Sequence, residues 1–153
     1  MFKKILFSGF VFTMSSHITF AECTPYLGGG LAIGSHSGIN IFGGYGNKFK
    51  QNYYLGGELF LNNLSYSQSN HINYGLGGSI LPGIFLNNNT MAYTRFGIGA
   101  FRSGSSYATK AAGQLGLGLQ TSVAKKWDIR GEYVYTSNIS TNQFNLGLLY
   151  KFK

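Results

Sequence analysis

The chain has 153 residues, a formal net charge of +8 and one cysteine, with charged side chains at only 10% and aromatics at 16%. A soluble domain of this size carries about a quarter charged residues, so this surface is not built mainly for water. A single cysteine excludes an intramolecular disulfide and a metal site resting on Cys spacing. The basic excess could suggest nucleic acid as a partner, but its distribution argues against it, because a nucleic-acid binder gathers Lys and Arg on one face and here they fall mostly in turns between apolar segments.

In chain order, Lys3 and Lys4 form a short basic start, Ile5 to Met14 an apolar stretch, and Thr19-Phe20-Ala21 a small-x-small site. This pattern predicts a secretory signal peptide over residues 1–21 and a single mature domain over residues 22–153. The apolar run is too short to anchor the chain in a bilayer, and Ser15, Ser16 and His17 interrupt it. Cys23 follows Glu22 rather than a small residue, which argues against lipidation.

No mature segment approaches the roughly 18 consecutive apolar residues of a membrane helix. Low charge without a helical span leaves the closed barrel as the membrane solution, since only helices and closed barrels satisfy every backbone group in lipid. Eight segments alternate with period two: Tyr26 to Ile33, Gly38 to Gly46, Tyr53 to Asn62, His71 to Leu81, Met91 to Phe101, Lys110 to Thr121, Trp127 to Thr136 and Gln143 to Phe152. Their apolar faces carry such residues as Leu27 and Leu31, Ile39 and Ile41, Leu55 and Leu59, Leu76 and Ile80, Phe96 and Ile98, Leu115 and Leu117, Ile129 and Tyr133, and Leu146 and Leu148. The even count predicts an all-β, eight-stranded antiparallel up-and-down transmembrane barrel. Connections fall at clusters of small and polar residues, among them Gly34 to Ser37, Asn63 to Asn70, Ser122 to Lys126 and Ser137 to Thr141. Pro82 cannot donate to a ladder, so the fourth strand is expected to bulge or stop there.

With both termini periplasmic, Tyr45, Trp127, Tyr150 and Phe152 point outward at the periplasmic interface and Tyr74, Tyr135 and Phe144 at the external one, as two aromatic belts. Lys48, Lys50, Lys125, Lys126, Lys151 and Lys153 fall on the periplasmic rim, where they either attract lipid headgroups or merely solubilise turns. The second face of the strands is mostly Gly, Ser, Asn and Gln, whereas a soluble sandwich would need a charged, wet second face. Gly28, Gly30, Gly56, Gly75, Gly77, Gly97, Gly99, Gly116, Gly118 and Gly147 share that inner face and make room in a lumen just wide enough for side chains.

Glu58, Arg95, Asp128, Arg130 and Glu132 fall on the same inner face. Unpaired buried charges are too costly to keep, so they are expected to meet as a salt-bridge network that plugs the lumen. The sharper alternative is a gate whose pairs exchange partners and open a narrow ion path. Glu58 and Glu132 could in principle act as acid and base, but flanking arginines keep both ionised. His36 beside Ser35 and Ser37, and His71 near Ser67 and Ser69, are the candidates for a nucleophilic pair at the outer rim, yet no acidic residue lies in a predicted external loop to orient the base. No complete dinucleotide or phosphate-binding glycine motif occurs. Neither a cofactor nor a metal is expected, nor enzymatic activity.

The last strand ends Asn145, Gly147, Tyr150, Phe152, which resembles the C-terminal assembly signal of bacterial outer-membrane barrels, with Lys153 as an addition. Together with the opening Tyr26-Leu27-Gly28-Gly29-Gly30-Leu31, the stretch Tyr54-Leu55-Gly56-Gly57-Glu58-Leu59 and the strand Trp127-Asp128-Ile129-Arg130-Gly131-Glu132-Tyr133, the mature chain resembles the small outer-membrane β-barrel proteins, the OmpA/OmpX-type barrels and opacity-like surface antigens of the porin family. The resemblance implies an outer-membrane location, with lipids, lipopolysaccharide and the barrel-assembly machinery as partners. Its members include structural tethers and adhesins, which implies a structural role in envelope integrity with weak contact to other surfaces. A narrow channel is the alternative, and a lipid-modifying rim enzyme a third.

Overall fold

The computed structural model describes residues 23–35, 37–50, 52–65, 72–102 and 108–152. The predicted signal peptide, His36, His71 and Lys153 lie outside them. Eight strands run in chain order: β1 Thr24–Gly34, β2 Ser37–Phe49, β3 Tyr53–Ser65, β4 Ile72–Phe85, β5 Thr90–Arg102, β6 Thr109–Ala124, β7 Trp127–Thr136 and β8 Thr141–Lys151. Each pairs antiparallel with its sequence neighbours, and β1 pairs with β8, so the sheet closes into an eight-stranded up-and-down barrel. Closure leaves no strand edge unpaired, the condition for placing a sheet in lipid.

The register fixes the shape. Across the ladders Pro25 pairs with Tyr45, then Gly57, Ile80, Phe96, Leu115, Tyr135 and Asn142. Asn142 O accepts the Ser35 N–H at 3.2 Å, so one circuit returns to β1 ten residues further along. A stagger of that size requires strongly tilted strands, within the ~35–45° usual for barrels.

Period-two alternation assigns the faces as the sequence predicts. Leu31, Leu59, Leu76, Leu117 and Leu146 stand on the outer wall, and Ile98 is 77% exposed there. A continuous apolar exterior of this extent belongs in lipid rather than in water. The buried residues lie in the lumen instead, where Tyr26, Phe42, Phe60, Phe101, Ala112 and Leu149 form one apolar cluster and Leu81, Met91 and Tyr93 a second, packed by Tyr54 and Phe85.

Two local expectations fail. β4 neither bulges nor stops at Pro82 but runs in one register to Phe85, pairing with β3 throughout. On the β5 side the ladder skips Leu81 and Pro82 and resumes at Gly83 opposite Tyr93. Those are the two pairings that need a Pro82 N–H, so the missing donor costs one hydrogen bond and leaves the strand intact. The turn expected over Ser122 to Lys126 shrinks to Lys125 and Lys126, because β6 continues to Ala124 and accommodates an extra residue by a register shift between Ser122 and Ala124.

Candidate functional site: the barrel lumen

Strands β3, β5 and β7 carry the inward charges to one level. Glu58 Oε1 accepts from Arg95 Nη2, and Glu58 Oε2 accepts from Arg130 Nη1 and, at 2.9 Å, from the Tyr26 hydroxyl. Arg95 Nε donates to Glu132 Oε2 at 2.9 Å, and the same oxygen accepts the Tyr93 hydroxyl at 2.7 Å. Two carboxylates and two guanidinium groups thus neutralise one another, all buried. Arg95 Nη1 reaches Ser79 Oγ at 3.2 Å, and Asn145 Nδ2 reaches Glu132 Oε1 at 3.4 Å.

A second branch runs toward the terminal rim, where β1 begins and β8 ends. Arg130 Nη2 donates to Gln120 Oε1 at 3.0 Å, Gln120 Nε2 donates to Asp128 Oδ2 at 2.6 Å, and Asp128 Oδ1 accepts from Ser122 Oγ at 2.8 Å and pairs with Lys151 Nζ at 2.6 Å. All five inward charges named from the sequence therefore belong to one connected set. Lys151 stands at the rim on the lumen-facing side, beside Asp128. Its alternation with Leu149 and Gly147 places it on that inner face.

The lumen is also more aromatic than its polar reading implied. The Arg130 guanidinium lies 4.7 Å from the Phe42 ring centroid, 5.2 Å from Tyr93 and 5.5 Å from Tyr26, a cation among ring faces. Four inward rings cover the glycine directly opposite on the neighbouring strand: Phe42 over Gly28, Phe60 over Gly77, Phe101 over Gly75 and Tyr93 over Gly118. A Cβ at any of these glycines would strike the ring, so here the glycines are space for aromatics. Between the rings and charges, a cavity of about 10 Å³ lies among Asn40, Phe60, Arg95, Glu132 and Asn145. That is room for about one water molecule.

The outer wall places the predicted belt residues. Tyr45 and Trp127 are exposed near the terminal rim, and Tyr74, Tyr135 and Phe144 near the opposite one. Trp127, Tyr150 and Phe152 stack edge to face, with centroids 5.0 and 5.1 Å apart. Asn145 and Gly147 of the C-terminal segment face the lumen, while Phe152 N–H donates to Pro25 O at 2.9 Å and extends the closing ladder.

A family model described as the outer membrane protein beta-barrel domain matches residues 11–152. The chain belongs to that family. The outer-membrane β-barrel family accounts for the lipid-facing exterior and supports an outer-membrane location. No curated protein matches the chain. Among solved structures, the outer membrane protein Ail of Yersinia pestis in a phospholipid bilayer nanodisc is similar at 17% identity and a TM-score of 0.60, over 86% of this chain and 100% of that one. Crystalline Ail with the heparin analogue sucrose octasulfate is similar at 16% identity and 0.56, over 86% and 99%. A de novo designed transmembrane β-barrel is similar at 16% identity and 0.52, over 84% and 95%. At such identities the likeness is one of fold.

Proposed function

We propose that this barrel is a structural surface protein of the outer membrane whose lumen is plugged and which supports envelope integrity. The observation that carries the reading is the placement of Glu58, which accepts from Arg95, Arg130 and Tyr26 at once and so joins three other strands across the barrel interior. A buried charge set with its partners in place resists rearrangement, because releasing either partner strands a charge in a low-dielectric interior. The same pairing gives Glu58 and Glu132 a structural task and argues against acid–base catalysis.

Its surroundings follow from the exterior. Lipids and lipopolysaccharide contact the apolar wall, and the barrel-assembly machinery reads the C-terminal strand through Asn145, Gly147, Tyr150 and Phe152. Short external connections provide weak contact with other surfaces; Ail, an attachment invasion locus protein that has been crystallised with a heparin analogue, shares the architecture that would display them.

Planar-bilayer recording of the refolded mature protein tests the plug. The expected result is a silent bilayer at protein levels where heat-modifiable electrophoretic mobility shows folded barrels. Reproducible conductance steps that change with Glu58→Gln would sink the plugged reading and establish a narrow channel in its place.

A further inference from the structure

The opening at the terminal rim is a cup of about 450 Å³. Lys48, Lys50, Lys125 and Lys151 line it, with Asp128 as the carboxylate among its lining residues. Asp128 is held by Lys151 at 2.6 Å, and Glu58 and Glu132 are held by the arginines, which leaves Lys48, Lys50 and Lys125 without a carboxylate partner among the described residues. The wall beside these ammonium groups is apolar and aromatic: Tyr54, Phe85 and Met91 line it, the two rings meeting edge to face at 6.2 Å. Lys48 Nζ sits 4.5 Å above the Phe85 ring, so cation and apolar wall adjoin. Lys126, one residue from Lys125, instead lies 5.9 Å from the outward-facing Tyr150 ring.

We infer that this cup binds a soluble organic anion of the phosphate-monoester class, its phosphate among Lys48, Lys50 and Lys125 and its apolar body against Tyr54 and Phe85. Three uncompensated cations in a concavity with low-dielectric walls focus a positive potential on whatever enters, and lysines serve phosphate as point charges. Apolar walls with a few placed polar groups are the general form of small-molecule sites. A phospholipid headgroup offers the same phosphate chemistry. Lys48, however, shares the lumen-facing side of β2 with Phe42, so a headgroup would have to leave its leaflet and enter the barrel mouth, whereas a soluble anion enters directly.

The test uses the folded mature chain in zwitterionic phosphatidylcholine nanodiscs, titrated with phenyl phosphate, inorganic phosphate and phenol, with amide resonances of 48–54 and 120–128 as the readout. Saturable shifts with phenyl phosphate are expected, with roughly tenfold weaker binding of either fragment alone. The triple substitution Lys48→Gln, Lys50→Asn, Lys125→Gln should lose at least about tenfold in affinity while keeping heat-modifiable mobility; asparagine at position 50 tolerates the positive φ of 48° found there. If the triple variant fails to fold, Lys125→Gln in the two-residue turn replaces it, with several-fold weaker binding expected. Unsaturable or absent shifts, or wild-type affinity in the folded variant, overturn the proposal. Shifts that require phosphatidylglycerol in the disc assign the cup to a lipid headgroup and overturn the soluble ligand. None of these readouts depends on conductance, so a channel outcome in the bilayer experiment would leave this one standing.

Discussion

Arg130 of β7 and Glu58 of β3 form an ion pair along a diameter of the barrel, because their strands are four apart whichever way the circuit is followed. Neighbouring strands are already tied by their ladders; this contact ties opposite walls. Removing one partner of such a buried pair costs ~3–5 kcal/mol, since the other charge stays behind without compensation. Glu58→Gln leaves Arg95 and Arg130 facing a neutral amide and should lower unfolding stability in that range, measured by urea titration in lipid vesicles. A loss below about 1 kcal/mol, the level of an exposed pair, would show that water reaches the network.

Removing both charges makes the complementary case. Glu58→Leu with Arg130→Met keeps volume and apolar contact but leaves Arg95 with Glu132 alone. Well-packed apolar replacements of buried pairs are often neutral or stabilising, so the double variant should be more stable than Glu58→Gln alone. The same urea titration decides it, and a double variant less stable than the single one would mean that the pair contributes beyond relief of its own desolvation.

The pairing of rings with glycines yields a packing prediction. The Phe42 ring occupies the space above Gly28 while its face meets the Arg130 guanidinium 4.7 Å away. Gly28→Ala should cost about 1–3 kcal/mol by overpacking, and Phe42→Leu on that background should recover part of the loss by vacating the space. Additive losses in the two single variants and the double would show that the contact carries no coupling.

The faces of the strands and the inward charges were legible because alternation in a closed barrel leaves two destinations for a side chain, lipid or lumen, and Glu58, Arg95, Asp128, Arg130 and Glu132 suit only one. Which of them touch was not legible. The Gln120 bridge between Arg130 and Asp128 depends on the register of β6 against β7, including the shift between Ser122 and Ala124. The seating of Phe101 over Gly75 depends likewise on the register of β4 against β5. Lys48 and Lys151 sit at the rim, as their closeness to turns indicates, and strand alternation turns both toward the lumen.

Pro82 offers a gain rather than a loss. The pairs missing between β4 and β5 are those that a Pro82 N–H donating to the Thr94 carbonyl would complete; in their place Thr94 Oγ1 approaches Pro82 O at 3.4 Å. Pro82→Val supplies the donor on an outward, lipid-facing position and should stabilise the barrel by about 0.5–1.5 kcal/mol. Slower amide exchange at Thr94, whose N–H faces the residue 82 carbonyl across the seam, than in the wild type would accompany it, and unchanged exchange would mean that the strands do not close up when the donor is restored.

Phe152 and Trp127 flank Tyr150 in one edge-to-face stack, yet they should fail differently. Each aromatic contact is worth ~0.5–1.5 kcal/mol beyond area burial, so Trp127→Ala and Phe152→Ala should lose similar stability once folded in vitro. In cells, Phe152 has the added proposed task of presenting the terminal strand for assembly, and Phe152→Ala should reduce the folded, heat-modifiable fraction in the outer membrane far more than Trp127→Ala does. Equal reductions in the two variants would make packing the whole explanation and remove the assembly role from Phe152. A selective defect would also show that Lys153, one residue beyond it, does not prevent recognition of the aromatic.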